Sequence, residues 1–255
     1  MPLLPGAEPF RHDGDATGVV LCHGFTGNPR SMRPWGEHLA EAGLTVDVPL
    51  LPGHGTTWQE MAATTSDDWL AEAESALLRL HARCDRVFTM GLSMGGCLAL
   101  RLAQLHPDKV GGVVVVNPSL AVENPLLVVA PLLARLVPST PGITDDIKKP
   151  GATEGGYDRV PTAAAATLPK LWRATRRDLA ALTAPVLAYT SPVDHVVGPR
   201  SLRILTSRAV NAALTVRSLD DSYHVATLDN DADAIFDGSL AFVREQARSG
   251  EGTKR

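Results

Sequence analysis

The sequence predicts an α/β protein: one domain with a mostly parallel central sheet and helices on both faces. Short β-branched runs alternate with longer amphipathic stretches along the chain. Most of the runs are continuously apolar, as strands covered on both faces are, rather than alternating. And 255 residues is a common length for a single α/β unit. Strand–helix alternation of this kind builds a parallel sheet through crossover connections.

The strand candidates, in order, are GVVLC (18–22), TVDVPL (45–50), RVFTMGL (86–92), GGVVVVN (111–117), PVLAYTS (185–191) and LTVRSLD (214–220). Three helices stand out between and after them. SDDWLAEAESALLRLHARC (66–84) opens on Ser66 as the expected N-cap. Asp67 and Asp68 then sit where a helix dipole favours negative charge. Trp69, Ala73, Ala76, Leu77 and Leu80 make its apolar face. SMGGCLALRLAQLH (93–106) is stopped by Pro107, and DADAIFDGSLAFVREQA (231–247) is the last helix. One connection is far longer than a crossover helix requires. Residues 118–183 hold an apolar run (PLLVVAPLLARLV, 125–137), a Pro/Gly-rich middle and a helical stretch (TAAAATLPKLWRATRRDLAAL, 162–182). This segment reads as a small cap inserted over the strand ends, with residues 10–117 and 184–247 forming the core.

Composition excludes several classes of function. A net charge of −4 gives neither a nucleic-acid surface nor a polybasic membrane patch. The three cysteines, Cys22, Cys84 and Cys97, are odd in number and form no CxxC pair. No disulfide framework is expected, and a reducing cytoplasm is the simplest setting. The N-terminal MPLLPGAEPF lacks the basic and apolar regions of a signal peptide. The apolar run at 125–137 contains a proline and an arginine and is too short to span a bilayer. No stable membrane anchor is expected, and any interface contact would be transient and made through the cap.

Gly91-Leu92-Ser93-Met94-Gly95 fits G-x-S-x-G, with a strand candidate before it and a helix candidate after it. A sharp strand-to-helix turn exposes a serine Oγ at the sheet edge and seats it at a helix N-terminus, where backbone N–H groups favour developing negative charge. A serine hydroxyl is a weak nucleophile until a base takes its proton. On such an elbow the chain order is serine, acid, histidine. His12, His23, His38, His54 and His81 precede Ser93, and His106 ends the helix that Ser93 begins. His224, in the loop after the last strand, is left as base. His195 follows Asp194 in the preceding loop, where the acid belongs, so Asp194 is the expected acid; Asp220 and Asp221 lie too near His224 in sequence. A tetrahedral oxyanion needs two N–H donors. One is Met94, directly after the nucleophile. The other is Phe25, which LCHGFTGNP presents after a strand end, with His23 as a loop-stabilising residue.

HGFTGNP, LPGHG, GLSMGG, DHVV and SYHVATLD occur in this order. With these spacings the chain resembles the bacterial carboxylesterase/monoacylglycerol lipase group of the α/β-hydrolase superfamily, from about residue 10 to the last helix. SYHVATLD and DIKKPGATEGGYDRVPTA resemble the monoacylglycerol lipases of the group more closely. The resemblance implies a small mobile cap whose isoleucine and glutamate touch substrate, the glutamate holding glycerol hydroxyls. Matching DIKKPG carries those roles to Ile143 and Glu154. A carboxylate in a half-buried setting suits that task, since it accepts two hydroxyl hydrogen bonds.

The expected activity is a serine esterase that needs no cofactor and no metal and acts on a small ester or lipid, monoacylglycerols being favoured. A broad-specificity carboxylesterase, or a thioesterase or acyltransferase, on the same triad stays open, and so, more distantly, does a non-catalytic binding protein of this fold. Cys97 reads as a packing residue, His54 as part of an ordered turn, and TRRDL (175–179) as a solvated face.

Overall fold

The computed structural model describes residues 1–121 and 137–251. The apolar run at 125–137 lies outside the described residues except for Val137. Nine strands are present among them: β1 (Phe10–His12), β2 (Thr17–Cys22), β3 (Thr45–Val48), β4 (Arg86–Leu92), β5 (Val110–Val116), β6 (Ser139–Pro141), β7 (Arg159–Pro161), β8 (Val186–Thr190) and β9 (Leu214–Ser218). Seven form one sheet in the order β1-β3-β2-β4-β5-β8-β9. All neighbours are parallel except β1, which runs antiparallel to β3. β6 and β7 pair separately as a short antiparallel ladder. This is the α/β-hydrolase architecture. All six expected strands are present.

The helices are α1 (Arg33–Glu41), α2 (Trp58–Ala62), α3 (Ser66–His81), α4 (Met94–Leu105), α5 (Thr162–Ala165), α6 (Leu168–Arg177), α7 (Arg200–Arg208) and α8 (Ala232–Glu251). Successive residues of a strand point to opposite faces, and the central strands use both. Val113 and Val115 of β5 join the core under α3, α4 and α6. Val114 and Val116 join the opposite core, under Trp35 and Leu39 of α1 and Ile235 and Val243 of α8.

Two expectations shift. The N-cap of α3 is Thr65, not Ser66: its N–H and Oγ1 both lie 2.8 Å from Asp68 Oδ2. Ser66 is engaged elsewhere, its N–H donating to Thr167 Oγ1 at 2.9 Å and its Oγ to Thr167 O at 3.1 Å. The stretch 162–182 is not one helix. Pro169 in the first turn of α6 lacks the N–H a continuing helix needs, so α5 and α6 are separate, and a 3-10 turn follows at Leu179–Ala181.

Parallel pairing brings the C-terminal ends of five strands to one edge. Cys22 pairs with Gly91, Leu92 with Val116, Val116 with Tyr189 and Thr190 with Ser218. The loops that leave this edge carry Phe25, Ser93, Asp194 and His224, and Met94 begins the helix that follows Ser93. Described residues between β5 and β8 lie against those loops: the N–H of Tyr157 donates to Thr26 O at 3.0 Å, and the Asn28 amide donates to Gly155 O at 2.9 Å. Among the described residues no helix is long and apolar enough to cross a membrane.

Candidate active site

Ser93 stands between β4 and α4 with φ 57° and ψ −118°, a left-handed conformation rare for a residue with a side chain. Its N–H donates to Val116 O at 2.9 Å, and its carbonyl accepts from Ser119 at 3.0 Å and Cys97 at 3.2 Å. The flanking glycines answer close approach. A β-carbon on Gly91 would lie 2.2 Å from the carbonyl carbon of Gly95, and one on Gly95 would lie 1.9 Å from Cys22 O. Both are far inside contact distance, so α4 starts hard against the ends of β4 and β2 only because these side chains are absent.

His224 and Asp194 are brought together. His224 Nδ1 is 2.8 Å from Asp194 Oδ2, and both side chains are buried. A carboxylate only accepts, so Nδ1 carries the proton and Nε2 is left with a lone pair. Asp194 Oδ1 accepts from the N–H groups of Val196 (2.8 Å) and Val197 (2.7 Å), which fixes the carboxylate plane. Asp220 and Asp221 are taken up by Ser218 Oγ at 2.5 Å and Lys148 Nζ at 2.6 Å.

The loop after β2 brings Phe25 to the same place. Gly24, Phe25, Ser93, Met94 and His224 line one cavity of about 430 Å³. The N–H of Phe25 has no hydrogen-bond partner among the described residues, and that of Met94, first in its helix, has no intrahelical acceptor. His23 braces the loop: its Nε2 accepts from the Leu51 N–H at 3.2 Å and its Nδ1 donates to Gly24 O at 2.9 Å. Burial pulls its imidazole down to about 4, so it is neutral. His54, also buried and held well below the usual range by that burial, meets Pro52 O through Nδ1 and packs on Trp69. Cys97 donates to Thr175 Oγ1 at 3.3 Å, and burial pushes its thiol up to about 12, which leaves it an inert contact between α4 and α6.

Ile143 and Glu154 line the same cavity as Ser93, with Leu168 and Trp172 among its apolar walls. Ile143 is 58% exposed, at the mouth, whereas Glu154 is buried. Burial pushes the Glu154 carboxyl up to about 7; the His224 imidazole opposes the rise, and Asp145 adds to it. Gly27 and Gly156 make room for it: added β-carbons would come within 3.2 Å of Oε2 and 3.4 Å of Oε1. Two residues that sequence reasoning passed over also meet here. Asn117 reaches both the acid and the base loops, and Asp146 holds the backbone of His224.

The profile of the family described as serine aminopeptidase, S33, matches residues 15–231. The chain belongs to that family. This serine hydrolase is 40% identical to the thermostable monoacylglycerol lipase of Bacillus sp. (strain H-257), over 96% of this chain and 98% of the relative. It is 24% identical to a carboxylesterase of Bacillus subtilis (strain 168), over 93% and 96% of the two chains. A solved structure from work on the metagenome-derived lipolytic enzymes LipS and LipT superimposes with a TM-score of 0.92 at 40% identity, covering 96% of this chain and all of that one. The hydrolase therefore has lipolytic relatives over nearly its whole length.

Proposed function

We propose that this hydrolase cleaves monoacylglycerols to fatty acid and glycerol through an acyl-enzyme, with residues 118–183 as a cap over the site. Ser93 Oγ attacks the ester carbonyl while His224 Nε2 takes its proton, and Asp194 orients the imidazole and stabilises the imidazolium. The N–H groups of Phe25 and Met94 receive the oxyanion. The imidazolium then protonates the leaving glycerol oxygen and, as a neutral base again, activates water to release the acid.

The observation that carries the substrate assignment is Glu154: a buried carboxyl lining the same cavity as Ser93 and His224, with Leu168 and Trp172 among its apolar walls. A carboxyl has several lone pairs to offer, and a glycerol headgroup supplies hydroxyls to meet them while the acyl chain meets Leu168 and Trp172. The similarity to a relative named as a monoacylglycerol lipase supports the same reading, and Ile143 stands at the entrance. Three buried, unpaired cysteines suit a reducing, cytoplasmic setting.

The test pairs two variants. Ser93→Ala lowers ester hydrolysis on the order of 10⁴-fold or more. Glu154→Leu lowers kcat/KM for a monoacylglycerol by about 10-fold or more relative to the ethyl ester of the same acid. An unchanged ratio removes glycerol recognition from Glu154, and full activity in Ser93→Ala removes the mechanism.

A further inference from the structure

We propose that Asp146 is a positioning residue for His224, supplied by the inserted segment rather than by the sheet. The proposal rests on the assignment of His224 as the base.

The base loop has weak support of its own. It leaves β9, the last strand of the sheet, whose residues are mostly exposed. Among the described residues no further strand lies beyond it to hold the loop. The segment 145–149 takes that place. Asp146 is nearly buried, and its two carboxylate oxygens face the acid and base loops. Oδ2 accepts from the N–H of His224 at 3.2 Å and from the N–H of His195 at 3.1 Å, and Oδ1 meets His195 Nδ1 at 2.7 Å. The carbonyl of the same residue accepts from Val225 at 3.0 Å. Asp146 thus receives two consecutive N–H groups of the base loop and, through His195, grips the loop that carries Asp194.

A second lacing runs the other way. Asp229, after the base, accepts from the N–H groups of Lys148 (2.7 Å), Lys149 (2.8 Å) and Tyr223 (2.9 Å). Each carboxylate is in effect a cap on backbone donors of the other segment, and charge-assisted bonds of this kind are the stronger ones. Asp145 and Asp146, adjacent in sequence, divide the work. Asp145 holds the N–H of Glu154 at 2.7 Å and turns the chain with φ 53°. One short strap therefore fixes the cavity carboxyl on one side and the base on the other.

Kinetics of Asp146→Ala and Asp146→Asn separate positioning from general structural support. A base displaced by about 1 Å costs on the order of 10²-fold in rate, so Asp146→Ala is expected to lower kcat by about 10- to 100-fold, with KM changed by no more than about threefold. Asp146→Asn keeps an acceptor but loses the charge and is expected to fall between alanine and wild type. The loss in kcat/KM is expected to be larger for an alkyl ester than for the 4-nitrophenyl ester of the same acid. The alkoxide needs a proton from His224, whereas nitrophenolate leaves without one. Reaction of Ser93 with a fluorophosphonate counts the folded sites in each variant, and rates are expressed per site. Per-site kcat within twofold of wild type in Asp146→Ala, or equal losses on the two esters, overturns the proposal. Activity surviving in His224→Ala would overturn the assignment of the base instead, so the two failures are distinguishable.

Discussion

Replacing Glu154 by glutamine removes one titration while keeping the shape of the side chain. In an unfolded chain the carboxyl titrates near 4.5, whereas in the folded protein burial raises it to about 7. Between those values the unfolded chain has released the proton and the folded chain has kept it. The folded state binds more protons, so stability falls as pH rises through this window. About 2.5 pH units at 1.36 kcal/mol each gives a loss of about 3 kcal/mol at and above neutral pH. The amide does not titrate and escapes that loss. The unfolding free energy of Glu154→Gln minus that of wild type is therefore expected to be level below about pH 4.5, to climb through the window, and to stand about 3 kcal/mol higher above pH 7. Urea unfolding of both proteins at a series of pH values from about 4 to 8 measures it, and the remaining titrations largely cancel in the difference. A difference that stays level refutes the reasoning. One that falls with pH shows that the folded protein favours the carboxylate, with His224 and the Asp145 backbone outweighing burial.

Two further substitutions probe the frame of the site. Gly95→Ala places a methyl group 1.9 Å from Cys22 O and 2.6 Å from His23 O, both backbone atoms. The start of α4 must withdraw, at a cost of about 2 kcal/mol or more, and kcat falls with it as Met94 moves; thermal melting and steady-state kinetics read both effects. His23→Gln tests the neutral brace under the Phe25 loop. The folded imidazole is held down to about 4 by burial, so its contribution to stability is full above about pH 6.5 and is lost as the pH falls toward 4, by about 3 kcal/mol. Unfolding free energies across that range should show the glutamine variant losing less than wild type by this amount, and equal losses refute it.

What the sequence revealed followed from how strongly each feature is imprinted locally. The parallel strands announced themselves because burial on both faces makes them continuously apolar, as in GGVVVVN (111–117). Ser93 was legible because its elbow demands glycine at fixed offsets, and Asp194 and His224 followed from chain order. β1 was not legible: it has three residues, two of them exposed, and exists through pairing with β3 and the contact of Arg11 with Asp47 at 3.3 Å. Likewise α7 is short, nine residues, and buries only Ser201 and Leu205. Ile143 and Glu154 came from resemblance, not from any pattern around them. Asp146 sits in a polar stretch that reads as solvated loop, and its bond to His224 joins residues 78 positions apart. No local signal encodes such a tie.

The same distinction explains what holds the reacting groups in register. His224 and Asp194 bond to one another, but their backbones are placed by side chains that take no part in the reaction. Asn117 directly follows β5, whose Val116 pairs with Leu92 and accepts the N–H of Ser93. Its Oδ1 accepts from Ser191 at 2.8 Å, at the root of the acid loop, and its Nδ2 donates to His224 O at 2.9 Å. One amide thus refers both loops to the strand pair that holds Ser93. Aspartate would lack the donor and leucine both functions. Asn117 also adopts φ 45°, a left-handed conformation that asparagine tolerates better than most residues. With Asn117 taking the carbonyl of His224 and Asp146 its N–H, the peptide groups on both sides of the base are fixed from elements distant in sequence. The geometry of the candidate site is therefore a property of the sheet edge and the inserted segment together, and displacing Asp146 would take the support from His224.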